Sequence, residues 1–122
     1  MGSHPLNLAL RFLLEMAALV AIGMWGWSQH TGPTRWLWTI GLPVVAAVVW
    51  GTFAVPNDPS RSGQAPIVIP GALRLVLELA IFAIGVIALI ANQYVATGVI
   101  MAAVTVLHYV LSYDRVRWLL RR

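Results

Sequence analysis

The chain has no cysteine and no lysine, and only four acidic residues among 122. Without cysteine there are no disulfides, no thiolate metal ligands and no cysteine nucleophile. Charged residues make up 10% of the chain, against about 25% in an ordinary soluble domain. No Walker A, HExxH or GxSxG pattern occurs, so no phosphate loop, zincin helix or nucleophile elbow is indicated. No metal site, cofactor or catalytic residue is expected.

What the chain has instead is apolar length. Hydrophobic residues reach 60% and mean hydropathy is +0.82. The excess lies in four runs, near 6–28, 34–55, 71–91 and 94–113. Each is close to the ~20 residues that a helix needs to cross the hydrocarbon core. The first run contains Arg11 and Glu15 and is followed by three more, so it reads as a span rather than a cleaved signal peptide. The leading Met1-Gly2-Ser3-His4 reads as an expression remnant and is set aside.

Net charge is +4, and every cation is an arginine. With both ends inside, Arg11, Arg61, Arg74, Arg115, Arg117, Arg121 and Arg122 fall on the cytoplasmic side, and Arg35 alone falls outside. That is the positive-inside bias. It accounts for the basic charge without nucleic acid, which is not an expected partner. The C-terminal arginines from Arg115 to Arg122 would meet anionic lipid headgroups.

Ala9-Leu10-Arg11-Phe12-Leu13-Leu14-Glu15-Met16-Ala17 reappears as Ala72-Leu73-Arg74-Leu75-Val76-Leu77-Glu78-Leu79-Ala80. A repeat unit of two spans keeps its orientation, so the two copies form a parallel repeat. The expected fold is an all-α membrane protein: four transmembrane helices as two parallel-repeat helical hairpins, N-in/C-in. Repeat 1 covers about 5–55, a cytoplasmic loop 56–70, repeat 2 about 71–113, and a basic tail 114–122. The second helices of the two repeats have diverged, and Val45 stands where the repeat predicts a partner for His108.

Local signals fix the turns. Trp25, Trp27, Trp36 and Trp38 flank Ser28–Pro33 and mark an interfacial belt at the outer face, with Tyr94 in the same plane. Pro43 predicts a kink, because it cannot bond to the carbonyl of Thr39. Four prolines keep 56–70 out of a helix. A loop this long suggests function, and Asn57, Asp58 and Arg61 are its candidate gate residues. The turn Asn92-Gln93 makes the last two spans a tight hairpin. Helix 4 is expected to end near Tyr113-Asp114.

Helical spacing puts Arg11, Glu15, Ala18, Ile22 and Gln29 on one face, and Arg74, Glu78, Ile81, Gly85 and Asn92 on its counterpart. Ala18 and Gly85 are small enough for close approach. Helix 4 carries a stripe of Thr97, Met101, Thr105, His108 and Ser112. Arg11, Glu15, Arg74, Glu78 and His108 are therefore expected to converge in the cytoplasmic half. A charge at the bilayer centre costs about 2.5–3.5 kcal/mol on insertion scales, so the charges must pair. Either they lock the bundle, or Glu15, Glu78 and His108 form a protonatable or cation-binding site. Tyr109, Ser112 and Asp114 crowd the same end of helix 4 and join the candidate set. Asp58 to Gly63 could also hold a phosphate.

Ala-Leu-Arg-Phe-Leu-Leu-Glu (9–15), Trp-Gly-Thr-Phe-Ala-Val-Pro-Asn-Asp-Pro-Ser-Arg-Ser-Gly (50–63) and His-Tyr-Val-Leu-Ser-Tyr-Asp-Arg (108–115) resemble the YrdB-like family of small bacterial membrane proteins. The resemblance implies four spans in a bacterial inner membrane and implies no catalysis. Two functions are expected to compete. One is transport or binding of a small molecule or ion through the charged cluster, as a homodimer joined through Ala46 and Ala47. The other is a structural or accessory membrane protein whose Arg and Glu pairs only hold the bundle.

Overall fold

The computed structural model describes residues 4–58 and 65–122. It contains helices α1 (Pro5–Gln29), α2 (Thr34–Thr52), α3 (Gly71–Ala91), α4 (Val95–Leu111) and α5 (Tyr113–Leu120). Two short strands, β1 (Phe53–Ala54) and β2 (Ile67–Val68), pair in parallel across the long loop. Pro5 opens α1, where a missing N–H costs nothing, and His4 caps it by accepting from the Leu6 N–H at 3.2 Å.

α1 and α3 form the centre. They approach through Ala18 and Gly85; a Cβ on Gly85 would lie 3.0 Å from the Ala18 Cα. α1 meets α2 through Gly26 and Gly23, where added Cβ atoms would lie 2.7 Å and 3.0 Å from the Trp38 and Thr39 carbonyl oxygens. α4 packs on α3 with Gly98, Met101, Thr105 and His108 inward. The expected stripe on helix 4 is thus right from Met101 onward, but Thr97 is exposed and Gly98 takes the inner position against Ile90. α2 buries no residue and leans on α1.

The distribution of polarity is inverted. Leu37, Val45, Val76, Ile87, Ile100 and Val106 are exposed. Five of the seven largest fully buried side chains are polar: Arg74, Arg115, His108, Glu78 and Ser112. A water-soluble domain does the reverse. The sequence predicts four spans; α1 and α3 are long and apolar enough to cross a membrane, and α4 joins them if it is counted with α5 as one bent span. α4 has only 17 residues. α2 has 19, but Arg35, three tryptophans and Pro43 dilute its apolar length.

Two segments differ from expectation. The chain breaks at Ser112, and α5 turns away from α4 by 71°. Helix 4 therefore ends at Leu111, and the segment read as a basic tail is a helix. Gly71 accounts for its docking: any Cβ there would collide with the Leu119 carbonyl, so α5 lies directly on the first turn of α3. The long loop is anchored by β1 and β2, and Ile69 N–H also donates to the Ala54 carbonyl at 3.0 Å.

Candidate functional site: a buried ion cluster

The cluster forms where α1, α3 and α4 meet α5. Glu78 is fully buried and accepts from four side chains. Its Oε1 takes the Tyr109 hydroxyl at 2.8 Å, Arg115 Nη1 at 2.9 Å and Arg11 Nη2 at 3.0 Å. Its Oε2 takes Arg115 Nη2 at 2.6 Å and Arg74 Nε at 2.8 Å. One carboxylate thus joins guanidiniums from α1, α3 and α5 and a phenol from α4. Both of its oxygens are engaged, and a cation has no open position on it.

Arg115 is the second hub. Its Nη1 and Nη2 grip Glu78, while Nε and Nη2 grip Asp58 at 2.8 and 2.6 Å. Such fork-shaped pairs are the strong form of ionic hydrogen bond. Burial works against the charge of Arg115, but the bonds to Asp58 and Glu78 outweigh it and hold its pKa well above the ordinary value. Asn57, in the left-handed conformation (φ 65°), makes the turn that aims Asp58 inward. Asp58 is therefore a buried anchor, 4% exposed, for the loop. Arg61, the other loop candidate, lies outside the described residues, as does most of the suggested phosphate turn.

Arg74 donates through Nη1 to the Trp50 and Phe53 carbonyls, tying the end of α2 to α3. The guanidiniums of Arg11 and Arg74 sit 5.3 and 5.0 Å from the Trp50 ring centre. Cation–π attraction adds to the ionic contacts there. Arg11 also pairs with Glu15 at 3.1 Å, the i,i+4 contact expected from spacing. Three arginines (Arg11, Arg74, Arg115) thus face three carboxylates (Glu15, Glu78, Asp58), and the formal charges cancel.

His108 sits beside this cluster in a second network. Its Nδ1 lies 2.9 Å from Asn7 Oδ1, and Asn7 Nδ2 donates to Ser112 Oγ at 2.6 Å. Buried His108 Nε2 has no partner among the described residues. The structure brings Arg11, Glu15, Arg74 and Glu78 of the expected five together, and adds Tyr109 and Arg115 to them. His108 and Ser112 stand one layer away, and Asp114 opens the first turn of α5 on its exposed side.

Arg115 corrects the reading of the C-terminal arginines. It is 2% exposed and turned to the carboxylates, whereas Arg117, Arg121 and Arg122 are exposed. Asn7 was legible: it lies one helical turn before Arg11 on the same face, as Ser112 lies one turn after His108. Trp50 carried no such signal, because only the fold brings it under two guanidiniums.

The model for the family described as "Protein of unknown function (DUF2568)" matches residues 9–106, a stretch that takes in Arg11, Glu15, Trp50, Asp58, Arg74 and Glu78. The chain is also 43% identical over 116 residues to "Uncharacterized protein YrdB" of Bacillus subtilis (strain 168), covering 95% of this chain and 94% of that one. No solved structure matches. The resemblance read from the Arg-Glu helix starts and the Trp50–Gly63 block is therefore a family relationship, and the chain belongs to the DUF2568 family.

Proposed function

We propose that this is a four-span protein of the bacterial cytoplasmic membrane, with both ends inside, and that it serves as a non-catalytic structural or accessory component. The two hairpins are read as parallel repeats. The ion cluster fastens their cytoplasmic ends to α5 and the long loop. The observation that carries this reading is Glu78: fully buried, and held by three guanidiniums and a phenol. A proton or cation acceptor needs an open lone pair, and Glu78 offers none. Removing one partner from a buried ionic cluster is costly, about 3–5 kcal/mol, so the cluster acts as a clasp.

Transport or binding of a small molecule or ion is the second reading. One observation favours it: Glu15 keeps 23% of its side chain exposed, and among the described residues its ion pair is with Arg11 alone. The two readings separate in proteoliposomes carrying an internal pH dye. The clasp reading expects no proton flux above that of empty liposomes, and a lower melting temperature for Glu78→Gln. Proton flux that Glu15→Gln or Glu78→Gln abolishes, with the melting temperature unchanged, overturns it.

A further inference from the structure

Glu15 differs from Glu78 in one respect that the clasp does not use. A carboxylate offers about four lone-pair sites. Glu15 Oε1 receives Arg11 Nε, and 23% of the Glu15 side chain stays exposed. Glu15 also lines a cavity of about 130 Å³ between α1, α2 and α3. The other walls include Leu19, Ala46, Trp50, Gly51 and Ile81. Gly51 and Ala46 make the space: they stand where larger side chains would fill it. The cavity is therefore apolar, with one anionic oxygen edge.

We propose that this cavity binds a small lipophilic ammonium compound, its charged nitrogen on Glu15 and its apolar body against Leu19, Trp50 and Ile81. The inference rests on the membrane-spanning reading and goes beyond it. Size sets the ligand: an engineered apolar cavity of about 150 Å³ takes up benzene, so a body of one ring or a short branched chain fits here. Charge sets the head group. Oε2 is an acceptor, and a charge-assisted donor bonds it about twice as strongly as a neutral one. Size also sets the source. A bilayer lipid with an amine headgroup carries two long chains that this cavity does not enclose, whereas a free amphiphilic amine with one ring enters whole.

The test uses the whole chain in nanodiscs, with benzylamine and benzyl alcohol as probes and empty nanodiscs as the partition reference. Saturable benzylamine binding is expected, followed by calorimetry. Benzyl alcohol, of nearly the same shape, should bind at least tenfold more weakly. Glu15→Gln removes the charge and keeps the shape; Ala46→Leu fills the cavity and leaves Glu15 in place. Each should weaken benzylamine at least tenfold. Equal binding of amine and alcohol overturns the proposal, as does full binding by folded Glu15→Gln. If that variant fails to fold, the wild-type preference between the two probes still decides. A chain that inserts into the bilayer but binds neither probe overturns this site and leaves the four-span reading standing. A chain that does not insert overturns both.

Discussion

At the scale of single residues, Glu78 and Glu15 show how one repeated motif comes to two uses. Both follow an arginine by four positions. Glu78 faces the bundle axis and gathers Arg11, Arg74 and Arg115, whereas Glu15 pairs, among the described residues, with Arg11 alone and opens to a cavity. Their substitutions should therefore differ. Glu78→Gln leaves three buried guanidiniums short of a counter-charge and should cost about 3–5 kcal/mol. Glu15→Gln should cost about 0–1 kcal/mol, since its pair is partly exposed. Thermal melts of the two variants in nanodiscs check the order; equal losses would contradict the geometry. Arg115 has a raised pKa in the fold, so its share of stability is complete below its unfolded value and falls only as pH rises through the folded one. Both values lie above neutral pH, and Arg115 should add no slope to stability there. The Arg-Glu spacing was legible because an i,i+4 pair is a property of one helix. The partner of each pair across helices was not, because it depends on which helix end α5 returns to.

At the scale of elements, α5 is the piece whose position the sequence hides. Its arginines look alike in a linear reading, and the positive-inside rule assigns them all to the headgroups. Folding separates them: Arg115 and Leu119 face the bundle, while Arg117, Arg121 and Arg122 stay exposed. The clue lies in Gly71, which admits the Leu119 carbonyl against its bare Cα. Gly71→Val should therefore displace α5 and with it Arg115, lowering stability by an amount that overlaps with Arg115→Gln. A double-mutant cycle measures the overlap: the combined loss should fall short of the sum by about 0.5–3 kcal/mol, and simple additivity would show that α5 does not carry Arg115 to Glu78. The outer arginines should behave otherwise. Arg117→Gln with Arg121→Gln and Arg122→Gln should leave melting unchanged in zwitterionic nanodiscs and remove any gain from anionic lipid, since each exposed arginine is worth about 1 kcal/mol at such a surface. The paired strands β1 and β2 were illegible for a different reason. Two-residue strands carry no periodicity, and four prolines between Ala54 and Gly71 argue for open loop.

At the scale of the whole molecule, the inverted distribution of polarity supports the proposed topology. Large apolar side chains cover the outside, and the buried polar and charged ones among the described residues sit toward one end. That end holds the start of α1, the long loop, the start of α3 and α5, which are the parts expected inside. The opposite end holds the tryptophan belt, where Arg35 packs on Trp27 at 4.0 Å and donates to the Trp27 and His30 carbonyls, both at 3.0 Å. An arginine there costs little, because its charge meets the carbonyls that α1 leaves unpaired at its C-terminus. Arg35 is thus a helix cap, and under the proposed topology that is why the positive-inside rule tolerates one arginine outside. The absence of native cysteine makes the topology directly testable. Single cysteines at Thr31 and Gln93 should react with a membrane-impermeant maleimide added outside intact cells. Cysteines at Ser3 and Arg122 should react only after the membrane is opened. Labelling of Arg122→Cys from outside would place the C-terminus, and α5 with it, on the wrong face, and the clasp would then lie where arginine is least favoured.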